Sequence, residues 1–306
     1  MWLTTIQATR CEQSLSIASF FTFNTQDDRF STEDGGLVYA VIINLTKKWV
    51  AVVFRGTIGL TDANTDRDFR LDEESFFATK DLIKVAGGKP ATHKGFSEYL
   101  FSAREKDSVE RPYVDRILAC LNEVFETNPD VKGKGFKLYV SGHSLGGGLA
   151  NLFAFRVAQM KAKGDESVKS LPSRVKAMTF ASPCVGNYDY NKECQFYEKE
   201  GFLRHIRISN EGDVVPTNNI PPPFSFALMG DSKNYTQNGV NISLLPKEKL
   251  VVDYRNTLTM LSQFSPSSLS THSLNEYDAR MDLEVNKVAF QQTVEELYQT
   301  AGDFTA

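Results

Sequence analysis

Residues 137–153 read "KLYVSGHSLGGGLANLF". The first five residues read as a largely apolar strand, the last seven lead into a helix, and Gly142-His143-Ser144-Leu145-Gly146 lies between them. This is the Gly-x-Ser-x-Gly pattern, with one serine on a sharp bend from strand to helix. Such a bend strains the serine backbone and crowds the residues two positions to either side. Gly142 and Gly146 remove that clash, and Gly147 and Gly148 let the helix start close to the sheet. The serine oxygen then projects over the carboxyl edge of the sheet, near the positive end of a helix. A Gly-rich turn with an incidental serine would need neither flank, so the context marks Ser144 as a candidate nucleophile. A phosphate-binding loop is excluded, because no Gly-Lys-Ser/Thr follows and the glycine spacing differs.

Strands and helices alternate outward from this bend. Residues 36–57, "GLVYAVIINLTKKWVAVVFRGT", hold two β-rich runs separated by "NLTKK", which predicts adjacent antiparallel strands. Val114, Ile117, Leu118, Leu121, Val124 and Phe125 recur at helical spacing between Pro112 and Pro129. The helix after the serine runs from about Leu145 to Lys161. Then come strand "VKAMTFASP", a polar stretch, and strand "LRHIRISN". This alternation predicts an α/β fold with a central, mostly parallel sheet and helices on both faces. Beyond Pro216 the pattern weakens. "IPPPFSFALM" is Pro-rich and apolar, "DSKNYTQNGVNISLL" reads as loop with short strand pieces, "LVVDYRNTLTMLSQFS" as strand then helix, and "EVNKVAFQQTVEELYQT" as a final amphipathic helix. No linker divides the chain, so residues 1–306 read as one domain.

A serine hydroxyl needs a base within hydrogen-bond reach and a third group to hold that base. On an α/β-hydrolase scaffold the chain order is serine, acid, histidine. The chain has four histidines. His93 precedes the serine, His143 adjoins it and is expected to point elsewhere, and His205 lies within a strand. His272 remains. For the acid, Asp213 follows the end of strand "LRHIRISN", where such sheets gather their sites; Glu211 in the same turn is its competitor. An oxyanion hole needs two donors. The backbone N–H of Leu145 is one, and Thr57, after strand "VAVVFRG", offers an N–H and a hydroxyl as the other.

Bulk properties narrow the function classes. The chain has 306 residues, is 41% hydrophobic and 24% charged, and carries a formal charge of −4. That gives no case for nucleic-acid binding. No apolar run approaches the ~18 residues of a membrane span. The N-terminus lacks the basic start and unbroken apolar stretch of a signal peptide; the expectation is either an intracellular protein or one whose leader has been removed. Cys11, Cys120, Cys184 and Cys194 form no CxxC or zinc spacing and read as buried thiols, with one or two disulfides as the alternative. Glycosylation triplets at Asn44, Asn234 and Asn241 decide nothing at their chance frequency.

Taken in order, "VAVVFRGT", "HKGF", "LYVSGHSLGGGLANLFA", "FASPCVGN", "NEGDVVP" and "HSLNEY" resemble the class 3 lipases, the fungal-lipase-like α/β-hydrolases. The resemblance runs from about Gly36 to Tyr277. It implies an α/β-hydrolase fold and hydrolysis of a carboxylic ester of glycerol, with Ser144, Asp213 and His272 as triad and Thr57 and Leu145 as oxyanion donors. It gives Arg55 and His93 structural roles, and it requires no metal or organic cofactor. The expected partner is a lipid or other ester substrate, with transient contact at a lipid interface. Phospholipase A1, galactolipase or feruloyl-type esterase activity on the same machinery is the alternative, as is a non-catalytic lipase-like binding module. Two departures stand out. Fungal members carry a short helical lid, usually with a tryptophan, after the oxyanion strand. Residues 58–75 here have no Trp and several Asp, which predicts weak activation at oil–water interfaces. The linker between Asp213 and His272 is long. Within it Phe224, Phe226, Leu228 and Met229 either line an acyl groove or pack on the core.

Overall fold

A computed structural model of the chain describes residues 17–21, 37–56, 71–72, 89–101, 111–216, 235–245, 251–253, 270–283, 286 and 293–301. Among these, an eight-stranded sheet contains β1 (Ile17–Phe21), β2 (Tyr39–Asn44), β3 (Trp49–Phe54), β6 (Lys137–His143), β7 (Val175–Phe180), β9 (Leu203–Asn210), β11 (Val240–Leu244) and β12 (Val251–Asp253), in that spatial order. From β3 through β11 every neighbouring pair is parallel; β1, β2 and β12 add antiparallel edges. This is the mostly parallel sheet of the α/β-hydrolase fold. The predicted hairpin forms with Tyr39 opposite Phe54 and Asn44 opposite Trp49. Its turn is closed by Asn44 Oδ1, which accepts the Lys47 N–H at 2.7 Å.

The strand period of two divides each strand between two cores. Val50, Val52 and Phe54 of β3, Leu138 and Val140 of β6, and Val175 and Ala177 of β7 face one apolar cluster. Four helices complete it: α1 (Lys94–Phe101), α2 (Tyr113–Thr127), α3 (Leu145–Ala162) and α4 (Tyr188–Lys199). The alternate residues Tyr139, Met178, Phe180, Ile206 and Ile208 face a second cluster, closed by α5 (Leu274–Met281) and α6 (Val294–Thr300). Helix α3 is apolar on all sides and buried along most of its length, as expected for a helix lodged between the sheet and a second helical layer.

The apolar positions predicted for the helix between Pro112 and Pro129 are all buried in α2. Most of the polar stretch between strands "VKAMTFASP" and "LRHIRISN", which the sequence reading left without an element, is α4. That helix places Tyr190, Cys194 and Tyr197 in the core at positions i, i+4 and i+7; Glu193 and Glu198 are buried with them, and Lys199 is exposed. The short strand pieces expected after residue 230 include β11, which joins the main sheet parallel to β9. Its approach is pinned by polar bonds. Asn151 Nδ2 of α3 donates to Asn238 Oδ1 at 2.8 Å, and Gln237 Nε2 donates to the carbonyls of Pro216 and Ser182 at 2.8 and 3.1 Å. A small second sheet joins β4 (Leu71–Asp72), β5 (Thr92–His93), β8 (Gly186–Asn187) and β10 (Tyr235–Thr236). Cys120, Cys184 and Cys194 are buried thiols. Asn44 and Asn241 are buried and bonded, Asn241 accepting from Ser209 Oγ at 3.0 Å, so neither triplet offers a surface acceptor in the folded chain.

His205, on β9, is fully enclosed, with its ring nitrogens 3.0 Å from Thr179 Oγ1 and 3.1 Å from Asn238 Nδ2. Burial, then the Arg207 charge, push its pKa down to about 3. Below pH ~6.5 the unfolded chain takes up a proton that the native ring refuses. The contribution of this residue to stability is therefore full above pH 6.5 and is lost as pH falls toward 3. In urea titrations at stepped pH, His205→Gln should flatten the acid-side slope by about one proton, ~1.4 kcal/mol per pH unit. An equally strict geometric demand applies at Gly142, where an added Cβ would lie 2.2 Å from the Gly146 carbonyl oxygen. Gly142→Ala should cost about 3 kcal/mol or more, read as a lower urea midpoint or as loss of soluble protein.

Candidate active site

Ser144 sits between β6 and α3 with φ 57° and ψ −126°, a left-handed conformation costing ~1–3 kcal/mol in a residue with a side chain. Its N–H is held by the Phe180 carbonyl at 3.0 Å, and its own carbonyl accepts the N–H groups of Gly147 and Gly148 at 2.9 and 3.2 Å. The glycines act as the sequence implies. A Cβ on Gly146 would meet the Phe54 carbonyl oxygen at 2.4 Å, so the bend packs directly on the end of β3. Leu145 opens α3, and the N–H of the first helical residue has no intrahelical acceptor. That leaves it available to an external oxygen beside Ser144.

The other two groups come from the carboxyl ends of later elements. Strand β9 ends at Asn210, and a turn follows in which the Asp213 N–H bonds the Asn210 carbonyl at 3.1 Å. Asp213 is buried, whereas Glu211 in the same turn is exposed; the structure brings Asp213, not its competitor, to the histidine. His272 lies on the segment leading into α5, which Ser273 caps by accepting the Glu276 N–H. The His272 Nε2 is 2.9 Å from Ser144 Oγ, and its Nδ1 is 3.0 and 3.1 Å from the two Asp213 oxygens. A carboxylate only accepts, so Nδ1 carries the hydrogen and Nε2 is bare toward the serine hydroxyl. Three residues separated by up to 128 positions thus form one hydrogen-bonded row.

The row is braced by groups that the sequence reading did not assign. Tyr277 Oη donates to Asp213 Oδ2 at 2.7 Å and accepts the Asn210 N–H at 3.0 Å. Burial, and then the Asp213 charge, hold its phenol pKa well above the ordinary value, so it remains a donor. Val215 N–H donates to Asp213 Oδ1 at 3.0 Å. His143 does not point away from the site: its Nε2 is 2.8 Å from the His272 carbonyl oxygen, and the two rings lie 4.8 Å apart. The position of Tyr277, five residues after His272 on the first turns of α5, signals it only once the topology is known.

His93 packs as a structural residue, stacked at 4.0 Å on Phe96 with Nδ1 accepting the Phe96 N–H at 3.3 Å. The Arg55 N–H bonds the Val38 carbonyl at 3.0 Å. Thr57, Phe224, Phe226, Leu228 and Met229 lie outside the described residues, as does the segment 58–75 apart from β4. Chemically, the row can move a proton from Ser144 to His272 and hold the resulting cation against Asp213. Removing the Tyr277 hydroxyl leaves the buried Asp213 with one donor fewer and orphans the Asn210 N–H. Tyr277→Phe should therefore lower the rate of Ser144 labelling by an active-site phosphonate about 10-fold or more, with a melting point reduced by several degrees.

Comparison with known proteins places the chain. The family profile described as Lipase (class 3) matches residues 51–222, more than half of the chain. Among curated relatives, phospholipase A1-Igamma1, chloroplastic, from Arabidopsis thaliana is 31% identical over 180 residues, covering 56% of this chain and 32% of its own length. Phospholipase A1-IIgamma from the same organism is 26% identical over 225 residues, covering 70% of this chain and 49% of its own. The chain thus spans between 32% and 49% of the length of these relatives. A crystal structure of a triacylglycerol lipase from Penicillium expansum superimposes with a TM-score of 0.49 at 19% identity, over 72% of this chain and 70% of that one. On the profile match across strands, serine bend and acid turn, the chain belongs to the class 3 lipase family.

Proposed function

We propose that the protein is a serine-dependent carboxylic ester hydrolase acting on acyl glycerolipids through an acyl-enzyme, with Ser144, His272 and Asp213 as its triad. One observation carries the reading: a strained serine whose hydroxyl lies 2.9 Å from a histidine that a buried carboxylate holds from behind. That constellation performs acyl transfer on unrelated scaffolds, recognised by geometry and roles.

The steps follow from the atoms. As Ser144 Oγ attacks the ester carbonyl carbon, its proton passes to His272 Nε2. Asp213, already accepting from Nδ1–H, stabilises the imidazolium. The carbonyl oxygen becomes an oxyanion bound by the Leu145 N–H and, in this proposal, by Thr57. Collapse breaks the bond to the glycerol oxygen, which takes the proton from His272 and leaves as alcohol. A water then gives its proton to His272 and its oxygen to the acyl carbon, freeing a fatty acid and regenerating Ser144.

Two head-group readings are supported by different observations. The order of family motifs favours acylglycerols. The names of the curated relatives, both phospholipases A1, favour a phospholipid. The two share every step above and differ only in what fills the site beyond the ester.

A fluorophosphonate probe tests the chemistry: wild-type protein should label, and Ser144→Ala should not, with its ester turnover reduced about 10⁴-fold or more. Labelling that survives the substitution would sink the assignment of Ser144. For the substrate, initial rates on triolein, phosphatidylcholine, a galactolipid and nitrophenyl esters of graded chain length should peak on a long-chain glycerolipid. Turnover limited to C2–C4 esters would reject the lipid reading.

A further inference from the structure

We propose that His143, the residue immediately before Ser144, is a positioning residue that sets the candidate base by holding its main chain. The inference rests on reading Ser144, His272 and Asp213 as a triad. Asp213 orients the His272 ring through Nδ1, but a ring is only as well placed as the backbone that carries it. His272 follows the helical residues Ser270 and Thr271 and leads into α5. Two side chains pin carbonyls of this segment. Asn210 Nδ2 donates to the Thr271 oxygen at 2.9 Å, and His143 Nε2 lies 2.8 Å from the His272 oxygen. A carbonyl only accepts, so His143 carries its hydrogen on Nε2.

The contact closes a ring of bonds. From Ser144 Oγ the path runs to the His272 ring, along its main chain to the carbonyl, across to the His143 ring, and back through one peptide to Ser144. The backbone that delivers the nucleophile therefore also fixes the residue that deprotonates it. An error in one shifts both together, so their 2.9 Å separation is preserved. Attachment through Asp213 alone would not give this, because Asp213 belongs to a different strand end.

The imidazole also suits the electrostatics. His272 becomes cationic when it takes the serine proton, and the two ring centroids are 4.8 Å apart. A positively charged neighbour would oppose that step. His143 is largely enclosed, edge-on to Tyr277 with centroids 5.7 Å apart. Burial first, then the proximity of His272, lower its pKa to about 4. It therefore serves as a neutral donor across the range in which the base works, a service neither lysine nor arginine could give.

The test compares His143→Phe, which keeps a ring but no donor, with His143→Gln, which keeps an uncharged N–H donor. Two readouts are followed on the full chain: nitrophenyl ester kinetics, and the rate of fluorophosphonate labelling, which requires the base but no natural substrate. The Phe variant should lose about 10- to 100-fold in kcat and in labelling rate, with KM within twofold and melting within a few degrees of wild type. The Gln variant should recover most of both rates. If the Phe variant does not fold, His143→Leu takes its place. Undiminished labelling in the donor-less variant, or a Gln variant as slow as Phe, overturns the inference while leaving the triad intact. Wild-type protein that neither labels nor turns over ester overturns the triad reading itself, and this inference with it.

Discussion

The structure depends on how closely two pieces of backbone approach at the end of β6. The chain reverses from strand to helix so tightly that the α-carbons of Gly142 and Gly146 can carry no methyl group, and the helix begins against the end of β3. The same reversal forces Ser144 to a positive φ. The strain is tolerated because α3, buried on all sides, and the parallel strands on either side of β6 hold both ends of the bend in place. Without that packing the serine would relax to an ordinary conformation and its hydroxyl would swing out of line with His272. A helix buried along most of its length thus also holds the candidate nucleophile in a strained state.

Much of this was legible in the residues. The β-rich runs of β3, β6 and β7 and the helical spacing in α2 are set by local pattern, which needs no tertiary information. Helix α4 escaped notice because its apolar face consists of Tyr190, Cys194 and Tyr197 on an otherwise charged segment. Only the core it meets makes that face meaningful. The candidate site divided along the same line. Ser144 is marked by its glycines, and His272 stands out because there are few histidines. Asp213 and Glu211 share one turn and one chemistry, and only burial separates them. Tyr277 and His143 act through the partners they meet in space, and no spacing rule encodes those meetings.

The three histidines around the sheet illustrate how position assigns a role to one side chain. His205 is sealed beneath α3 and α4 with a threonine and an asparagine on its nitrogens, and it serves the interior as an uncharged polar tie. His143 is enclosed beside the site and bonds to main chain. His272 alone spans from a buried carboxylate to a partly open serine, with its side chain still 20% exposed. Of the three, only that placement combines a fixed ring with access to a reacting group.

The distance along the chain between Ser144 and His272 has a consequence during synthesis. The serine and its bend leave the ribosome well before residue 272 is made, and the parallel strand that ends near Asp213 is completed between them. A nascent or prematurely terminated chain would present a nucleophile with no base. Under the proposed chemistry, the capacity to cut lipid arises only once translation has passed residue 272 and the late segment has docked.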